Sequence, residues 1–550
     1  MKILIIGAVA AGTSAAAKAR RNDENAEIKI FEMGEEISYS SCGLPYYIGN
    51  EIEKREQLVP RDVKFFKNKY NVDIFTQHEV LNIDVNAKEL KVKNLIDNRV
   101  FNEKYDKLVI STGATPIFPR IEGIDKDNVF VLRNVISADK IKNYIEKNKP
   151  KKALVVGSGF IGLEMVENLK RLGIDVTVVE MEDHLMKPLD KDVSLYLKDN
   201  LAKHGVKVIL NDGVVKFEGD SVITKAFLKS GKGIETDMVI VATGVRPNVL
   251  LAKNAGVEIG ETGAIKVNNK MQTNIKDIYA CGDCVESYSI VTGKHLYRPL
   301  GSTANKMGRI AGDQITGGDL EFRGILGTGI FKIFDMVVAQ TGLTEIDAIN
   351  EGYDISVSHN IKPDKPPYYH GEEMLIKAVA DKKTEKLLGV QIVGKAGVDK
   401  RIDVFVTAIT FGAKVSDLFH LDLAYAPPFS TTKDPVMYTG MILTNDINSN
   451  RKLITPNKLQ EKINNNEDLI VIDTREPNQY EVSHVDGAIN IPHKELREKA
   501  NSLDKQKLTV TYCNKGVTGN ATQNILLNMG FKNVYNLSGG NKNYSKIMKE

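Results

Sequence analysis

Two stretches of the sequence follow the same order of features: an apolar strand, a glycine-rich turn, a helix, a second strand and an acidic residue. Residues 2–32 run from KILIIG through an Ala-rich helix to EIKIF and Glu32. Residues 152–180 run from KALVVG through GSGFIG and a helix to DVTVV and Glu180. This order predicts two βαβ units of the kind that binds dinucleotides. The chain is therefore expected to be an α/β protein with two Rossmann-like dinucleotide-binding domains.

The second of the two turns fits the nucleotide-binding pattern completely. Gly157, Gly159 and Gly162 have the GxGxxG spacing, and Glu180 follows at the end of the next strand. Free backbone N–H groups and the positive end of the helix dipole favour a pyrophosphate at such a turn. Glu180 can accept hydrogen bonds from a ribose 2′-OH and would repel a 2′-phosphate. The prediction is NADH rather than NADPH, with NADPH left open.

The first turn departs from the pattern because Val9 stands where the middle glycine is usual. Glu32 and the later segment ACGD, which contains Asp283, restore the case for a nucleotide site. In flavoproteins with two dinucleotide domains such an aspartate meets the ribityl or phosphate part of the flavin, which predicts FAD; a plain turn residue is the alternative. The other dinucleotide contacts predicted at the two turns and at the later strand ends are Gly7, Ala10, Gly12, Thr112, Gly113, Phe160, Ile161, Gly244 and Gly282.

Length and composition fit several globular domains, with 550 residues, 42% of them hydrophobic and 26% charged. The formal net charge of +3 gives no reason to expect a nucleic acid or an anionic membrane as partner. The N-terminal MKILIIGAVAAG imitates a signal peptide, but a strand, a turn and a helix are favoured because basic residues soon interrupt the apolar run. No other run approaches the roughly 20 apolar residues of a membrane span. Four cysteines suit a reducing cytoplasm.

The predicted domain boundaries follow changes in pattern along the chain. Residues 1–112 and 246–322 form a discontinuous FAD-binding domain, and 113–245 form the NAD(H)-binding domain. Residues 323–445 are strand-rich and read as an α+β domain. A polar stretch at 446–454 is interpreted as a linker, and 455–550 as a small α/β domain.

Cys42 is the cysteine best placed for chemistry, since it directly precedes a Gly-Leu-Pro helix start. A helix N-terminus stabilises a thiolate, and the thiolate is the nucleophile of disulfide chemistry. No partner cysteine stands four or five residues away, so a mixed disulfide, a persulfide or a sulfenic acid is expected; a buried packing cysteine is the alternative. Cys281 and Cys284 form a CxxC without a second pair, and are interpreted as packing residues rather than metal ligands.

Taken together, the motifs resemble a known family. SxxxCGLPYYIG, GSGFIGLE, ATGVRPN, ACGD, PLGSTANKMGR and AYAPPFSTTKDPV are similar to the single-cysteine branch of the pyridine nucleotide–disulfide oxidoreductases. Coenzyme A-disulfide reductases and rhodanese-fused NADH-dependent persulfide reductases are the members most resembled. The resemblance covers nearly the whole chain. It implies FAD, NADH, coenzyme A as substrate or bound ligand, and a homodimer formed by the α+β domain, and it adds Ala304 to the FAD contacts.

The resemblance also implies roles for individual residues. Cys42 matches the redox-active cysteine. The coenzyme A contacts that it implies are Ser14, Lys18, Arg21, Ser38, Ser41 and Lys433. Lys18 and Arg21 are three apart on one helix and would suit phosphates; a solvated basic helix end is the alternative. Ser41 stands where asparagine is usual, which predicts a wider pocket or a weaker hold on the substrate.

Two tyrosines match residues that the family brings from the second subunit toward the cysteine. They are Tyr425 and Tyr368, with Tyr369 as an alternative to the latter. A tyrosine O–H could protonate a departing thiolate. The competing interpretation is that both rings simply pack at a dimer interface.

The C-terminal segments DTRE at 473–476, HVDGAINIP and CNKGVTG at 513–519 resemble a rhodanese domain. Its chemistry needs a cysteine, here Cys513, at the start of a loop that leads into a helix. Converging N–H groups there lower the thiol pKa and hold the transferred sulfur. Thr518 occupies a position that often carries arginine, so a merely structural domain is the alternative.

The sequence therefore predicts an enzyme in which NADH reduces FAD and Cys42 reduces an S–S bond. The expected substrates are coenzyme A persulfide, related polysulfides or coenzyme A disulfide, with Cys513 carrying sulfane sulfur. One alternative is an NADH oxidase or peroxidase, although those relatives commonly carry histidine near the first turn, where this chain has Val9-Ala10-Ala11. Another is a redox or sulfide sensor. Whether sulfur passes from Cys513 to Cys42 directly or by a carrier is left open.

Overall fold

The computed structural model describes residues 1–549, which fall into two compact units. The first unit comprises 1–182 and 205–325, and the second comprises 183–204 and the residues from 326 onward.

Residues 1–182 contain the strands β1 (Lys2–Ile6), β2 (Glu27–Phe31), β3 (Asp73–Phe75), β4 (His78–Asp84), β5 (Glu89–Asn94), β6 (Val100–Lys104), β7 (Lys107–Ile110), β8 (Ala114–Pro116), β9 (Val129–Phe130), β10 (Lys152–Val156) and β11 (Asp175–Val179). Their helices are α1 (Ala10–Asn22), α2 (Leu44–Ile48), α3 (Val63–Tyr70), α4 (Val135–Asn148) and α5 (Phe160–Arg171). Helix α6 (Lys191–Lys203) follows and belongs to the second unit.

Residues 205–325 contain β12 (Lys207–Ile209), β13 (Val214–Glu218), β14 (Lys225–Leu228), β15 (Gly233–Glu235), β16 (Met238–Val241), β17 (Val245–Pro247), β18 (Ile278–Ala280), β19 (Ser287–Tyr288) and β20 (His295–Leu296), with helices α7 (Leu250–Asn254) and α8 (Gly301–Ile315).

The rest of the chain contains β21 (Gly329–Ile333), β22 (Met336–Gly342), β23 (Ile355–Pro363), β24 (Glu373–Asp381), β25 (Leu387–Gly394), β26 (Leu453–Ile454), β27 (Leu469–Asp473), β28 (Ile489–Asn490), β29 (Leu508–Tyr512) and β30 (Val534–Leu537). Its helices are α9 (Glu345–Asn350), α10 (Val398–Thr410), α11 (Pro435–Asn448), α12 (Pro456–Asn464), α13 (Pro477–Val482), α14 (Leu496–Lys499), α15 (Val517–Asn528) and α16 (Gly540–Met548).

The first unit is built on two five-stranded parallel sheets, in the orders β18-β7-β1-β2-β3 and β12-β11-β10-β16-β9. The apolar starts of both βαβ units, β1 and β10, are central strands and are almost entirely buried. A strand that is buried on both faces reads as a continuous apolar run, which is why these segments were recognisable. The two predicted Rossmann-like folds are confirmed, and the N-terminal segment is a core strand.

The second unit contains an antiparallel sheet, β21-β22-β25-β24-β23, and a parallel sheet, β26-β30-β29-β27-β28. These are the predicted α+β domain and the predicted small α/β domain. The linker proposed at 446–454 is shorter in the structure, because α11 continues to Asn448 and Leu453–Ile454 pair with β30. The apolar pair Leu453–Ile454 has a sheet edge to join, which the polar composition around it concealed.

A buried ionic network joins α6 to the antiparallel sheet of the second unit. Lys377 on β24 lies 2.9 Å from Asp192, 3.1 Å from Asp190 and 2.8 Å from Glu345, and its side chain is 2% exposed. Burial alone would lower the pKa of Lys377, but these carboxylates outweigh it and raise that pKa. Burial likewise opposes ionisation of Asp192, yet Lys377 and His359 hold its pKa far below the usual range.

The network continues into the C-terminal α/β domain. His359 Nε2 lies 2.6 Å from Asp192 Oδ2, and His359 Nδ1 lies 3.1 Å from Ser538 Oγ. The backbone N–H of His359 also donates to Ser538 Oγ over 2.7 Å. A proton on Nε2 of the imidazole satisfies every one of these contacts. Lys546 also forms an ion pair with Asp199, so the C-terminal domain is docked on α6 as well as on β23.

No helix among residues 1–549 is both long enough and apolar enough to cross a membrane.

Candidate functional site

The first glycine turn packs against neighbouring backbone too closely for a side chain at either of its spaced glycines, Gly7 or Gly12. Gly7 has φ +99°, and a Cβ there would collide with the carbonyl oxygen of Ser111. A Cβ on Gly12 would collide with the carbonyl oxygen of Gly7. Val9 is the N-cap residue of α1, and its side chain makes no hydrogen bond to the helix. The first N–H groups of α1 are therefore open to a phosphate.

Glu32 stands beside this turn at the end of β2. Its carboxylate accepts hydrogen bonds from the N–H groups of Ala8, over 2.7 Å, and Gly34, over 2.8 Å. Gly282, at φ +86°, closes the other side, where a Cβ would lie 2.7 Å from Ala11 Cβ and 3.8 Å from Ala304 Cβ. The structure thus brings the predicted flavin-side residues together around the start of α1, and their geometry fits a dinucleotide.

Asp283 lies next to this cradle with a partner that the sequence did not indicate. Burial raises the pKa of its carboxyl, and Arg133, whose Nη2 lies 3.6 Å from Asp283 Oδ2, opposes the rise. Gly113, at φ +68°, comes within 3.2 Å of the same guanidinium if a Cβ is added. Thr112 is tied to Asn248 by two hydrogen bonds. Arg133 was missed because it follows an unremarkable strand far from any motif.

The second glycine turn repeats the geometry of the first. Gly157 has φ +99°, and a Cβ there would lie 2.5 Å from the carbonyl oxygen of Ala242. Gly162 likewise faces the backbone of Gly157, whereas a Cβ on Gly159 would meet nothing within 4 Å. Glu180 accepts hydrogen bonds from the N–H of Ser158 over 2.9 Å and from its Oγ over 2.7 Å. The open space in front of Gly159 leaves room for the dinucleotide that the sequence predicts at this turn.

The remaining residues predicted at the two dinucleotide sites border these turns. Val9 and Ala10 are half-buried at the start of α1, and Phe160 and Ile161 begin α5, with Ile161 37% exposed. Gly244 follows β16 with φ +101°.

Cys42 lies in a short 3₁₀ turn, Ser41–Gly43, and its side chain is exposed. The prediction that the protein stabilises the Cys42 thiolate is wrong, because the surrounding residues raise the pKa of this cysteine. Although the residue reaches solvent, the protein atoms on the inner side of its sulfur disfavour the charge most. The Glu164 carboxylate adds to the rise, and a hydrogen bond from Ser41 opposes it. The following helix, α2, has only five residues, so its dipole contributes little.

Glu164 is the residue near Cys42 that sequence reasoning missed. It lies on α5, which packs against α2. Burial raises the pKa of Glu164 to about 7, although a hydrogen bond with Tyr46 lowers it in part. Burial and the same carboxylate raise the pKa of Tyr46 to about 12. A carboxyl that exchanges its proton near neutral pH therefore stands beside the candidate redox cysteine. Its position in GSGFIGLE, two residues after the last glycine, was the available signal.

Two of the three coenzyme A contacts predicted on α1 already bind other residues of the protein. Ser14 Oγ donates to Asn305 Oδ1 over 2.7 Å. Lys18 Nζ lies 2.9 Å from Asp313 Oδ1, so its charge is already paired. Arg21 stays exposed, with its guanidinium carbon 5.5 Å from the centroid of Tyr70. Of the two basic residues, Arg21 is thus the one available to a phosphate.

The other predicted substrate contacts lie in both units. Ser38 is in the first unit at φ +49°, with its N–H donating to Ala8 O. In the second unit, Tyr368 and Tyr425 are 69% and 48% exposed, and Lys433 is exposed as well. Their predicted roles toward Cys42 of a partner subunit stay predictions.

Cys513 directly follows β29 and opens the loop that leads into α15. The sulfur-bearing side chain is 7% exposed. Asn541 N–H donates to the carbonyl of Cys513 over 2.9 Å, and Lys542 N–H donates to that of Asn514 over 3.0 Å, so the start of α16 fixes the loop. The cavity at the sulfur has a volume of about 390 Å³ and is lined by residues 474–476, 479, 493, 513–515, 517 and 518.

The two positively charged side chains that line this cavity, Arg475 and Lys515, already have ion-pair partners. Arg475 contacts the Asp473 carboxylate with two nitrogens, over 2.6 and 3.0 Å, and Lys515 pairs with Glu373. Thr518 lines the cavity without adding a charge. Cys281 and Cys284, in contrast, are fully buried in the core, as their packing interpretation predicted.

Comparison with known protein families shows which family models match the two units of this chain. A family model described as pyridine nucleotide-disulphide oxidoreductase matches residues 1–306. The chain belongs to this family. The model of the dimerisation domain of these oxidoreductases matches residues 329–435, and that of the rhodanese-like domain matches 455–547.

Relatives of this oxidoreductase include an enzyme named for sulfur chemistry and one named for NADH oxidation. An NAD(P)H sulfur oxidoreductase (CoA-dependent) of Pyrococcus furiosus is 38% identical over 80% of this chain and 99% of its own length. An NADH oxidase of Methanocaldococcus jannaschii is 39% identical over 79% of this chain and 97% of its own length.

Two solved structures cover the oxidoreductase together with its C-terminal domain. Reduced CoADR-RHD of Bacillus anthracis is 40% identical, with a TM-score of 0.97, over 100% of this chain and 98% of that one. An NAD-dependent persulfide reductase from A. fulgidus is 37% identical, with a TM-score of 0.91, over 99% of this chain and 100% of that one. The four-part architecture is thus shared along the whole length.

Proposed function

We propose that this oxidoreductase uses NADH to reduce coenzyme A persulfide, related polysulfides or coenzyme A disulfide at Cys42, while Cys513 transfers sulfane sulfur. One observation carries the proposal: a single exposed cysteine in the unit with two dinucleotide cradles is fused to a second, loop-held cysteine in a cavity. The relatives named for persulfide and coenzyme A chemistry support the substrate class.

FAD would be held by the first cradle, through Gly7, Gly12, Glu32, Gly282 and Asp283. When bound, it supplies two-electron transfer between a nicotinamide and sulfur. NADH would occupy the second cradle, where Gly159 leaves space and Glu180 meets the ribose. Arg133 would keep the Asp283 carboxylate paired when the first cradle is occupied.

At Cys42, the thiolate would attack the inner sulfur of a persulfide RS–SH. The Cys42–SR bond forms as the S–S bond breaks, and HS⁻ leaves with the electron pair. Two electrons and one proton then return the mixed disulfide to the Cys42 thiolate and free RSH. Glu164, with its pKa near 7, would hold a proton beside Cys42 for part of this cycle.

The dimerisation-domain match supports a homodimer as part of this proposal. Exposed Tyr368 and Tyr425 would then be positioned toward the Cys42 of the partner subunit, and Lys433 toward its coenzyme A.

The decisive experiment is NADH oxidation without oxygen, with coenzyme A persulfide and with coenzyme A disulfide as substrates. Fast turnover that is lost in Cys42→Ser supports the reductase. Unchanged turnover of Cys513→Ser on every sulfur donor would refute the role of Cys513.

NADH oxidase activity is the second candidate, favoured by the Methanocaldococcus relative of that name and by the exposed single cysteine. It predicts NADH consumption only when oxygen is admitted, with neither sulfur substrate turned over.

A further inference from the structure

A half-buried imidazole, that of His493, lines the cavity at Cys513. His493 begins a 3₁₀ turn, His493–Glu495, that follows β28. Its backbone N–H donates to the carbonyl oxygen of Thr474, another lining residue, over 3.2 Å. The backbone of His493 is therefore fixed to the wall of the cavity, and the ring stays beside it.

The contact at Nδ1 decides which ring nitrogen of His493 carries the proton. His493 Nδ1 lies 3.1 Å from Thr522 Oγ1 on α15, and Thr522 is fully buried. Within residues 1–549, Nδ1 is the one acceptor within hydrogen-bond distance of this hydroxyl. A buried hydroxyl proton without an acceptor costs free energy, so Thr522 donates to Nδ1. The neutral imidazole then carries its own proton on Nε2.

The other side of the ring borders the cavity. His493 is among the lining residues, whereas Thr522, which binds Nδ1, is not. The Nδ1 side of the ring therefore turns toward the buried face of α15, and the Nε2 side is left to the cavity. In the part of the chain that the structure describes, no protein acceptor lies within hydrogen-bond distance of Nε2. The cavity thus presents an N–H donor that a ligand can use.

The position of this donor is fixed before any ligand binds. The charges of Arg475 and Lys515 are balanced by carboxylates, and Gln479 and Asn514 are exposed side chains that would lose rotamer freedom on binding. His493 is already held at its backbone and at Nδ1, so its donor costs little entropy to use. An N–H donor bonds strongly to an anionic oxygen and only weakly to sulfur.

We propose that His493 Nε2–H binds an oxygen of oxygen-bearing sulfane-sulfur donors at Cys513, and so sets the donor specificity of this site. The inference rests on the proposed sulfur-transfer role of Cys513. With thiosulfate, the Cys513 thiolate attacks the outer sulfur, a Cys513–S bond forms as the S–S bond breaks, and sulfite leaves with the electron pair. Nε2–H donates to an oxygen of thiosulfate and then of the departing sulfite, and its proton stays on the ring. An alkyl persulfide has no such oxygen.

The test uses the full-length, FAD-loaded protein carrying Cys42→Ser, so that only the C-terminal site exchanges sulfur with a donor. Sulfur transfer to cyanide is measured without oxygen, with thiosulfate, benzenethiosulfonate or ethanethiol persulfide as donor. His493→Phe keeps a planar ring without the donor and should raise the KM for thiosulfate about tenfold, the effect of losing one charge-assisted hydrogen bond. The KM for ethanethiol persulfide should not change.

Two further variants separate this role from a structural one. His493→Gln places an amide N–H the same number of bonds from the backbone as Nε2, so it should restore most of the affinity for thiosulfate. Thr522→Val keeps the shape of the buried side chain but removes the hydroxyl that fixes the proton on Nε2. It should raise the KM for thiosulfate by a few-fold and leave that for ethanethiol persulfide unchanged.

His484→Phe is the matched control, because His484 belongs to the same domain, is exposed and stacks on Tyr480 outside the cavity lining. A rise in KM for both oxygen-bearing donors identifies organic and inorganic donors alike, a rise for thiosulfate alone identifies small inorganic ones, and either supports the inference. Equal KM values for His493→Phe and His484→Phe on both donors would overturn it. So would an equal loss on all three donors that His493→Gln does not rescue.

Failure of the proposed function looks different. In that case the parent protein with intact His493 and Cys513 transfers no sulfur from any donor, and intact-mass measurement finds no persulfide on Cys513.

Discussion

Replacing Asp192 by asparagine preserves the size of a buried side chain and removes the charge on which two neighbours depend. The carboxylate lies 2.9 Å from Lys377 and 2.6 Å from His359, and it is 7% exposed. Lys377 would keep Asp190 and Glu345, but the asparagine would fail to match both neighbours at once. Removing one partner of a buried ion pair costs about 3–5 kcal/mol, so this loss is expected for Asp192→Asn.

Denaturant unfolding measures this free energy, and trypsin sensitivity at Arg451 and Lys452 reports separation of the C-terminal domain. Both residues follow the exposed end of α11. The matched control is Asp183→Asn, whose carboxylate is 48% exposed and 2.8 Å from Lys191. A surface pair of this kind contributes about 0–1 kcal/mol. Equal stability and equal trypsin sensitivity of the two variants would refute the reasoning.

The buried contacts of Asp192 with Lys377 and His359 also predict how stability depends on pH. Because the pKa of Asp192 is depressed in the folded protein, the unfolded chain binds the proton more readily. The stabilisation is present above the ordinary aspartate pKa of about 4 and is lost as pH falls toward the folded value. Unfolding curves measured from neutral to acid pH should therefore converge for the parent protein and Asp192→Asn.

Three further predictions concern the first unit. Glu164→Gln removes a neighbouring negative charge, so the pKa of Cys42 should fall and iodoacetamide should alkylate it several-fold faster at neutral pH; an unchanged pH profile of alkylation would contradict this. Gly12→Ala forces a Cβ against the backbone of Gly7, which should cost about 1–3 kcal/mol and abolish flavin absorbance in the purified protein. Gly159→Ala meets open space and should fold and retain flavin, with a raised KM for NADH; loss of flavin in this variant would refute the assignment of the two cradles.

The nucleotide-binding folds could be predicted because their determinants are local. Gly7 and Gly157 lie in the two turns, Gly12 and Gly162 lie in the first turn of the helix that follows each, and each acid follows its strand directly. The C-terminal loop was predictable for the same reason, since Cys513 lies between a clear strand and a clear helix. Such features depend on neighbours in sequence, which a pattern can read.

The electrostatic environment could not be predicted, because it depends on residues distant in sequence. Lys18 was expected to face a phosphate, but the fold brings Asp313 to it. Cys42 was expected to be an activated thiolate, but packing and Glu164 raise its pKa. In each case the decisive neighbour was visible only after folding.

The docking of the C-terminal domain on β23 also limits how this protein can be shortened. Removing residues 455–549 would uncover the N–H of His359 along the edge of a nine-residue strand and would expose the Asp192 network to water. An uncovered edge strand pairs readily with another copy of itself, so the shortened chain is expected to aggregate. The Pyrococcus furiosus relative matches 80% of this chain over 99% of its own length, so it is shorter than this protein. A practical truncation of this protein would therefore need a proline or an added charge on β23.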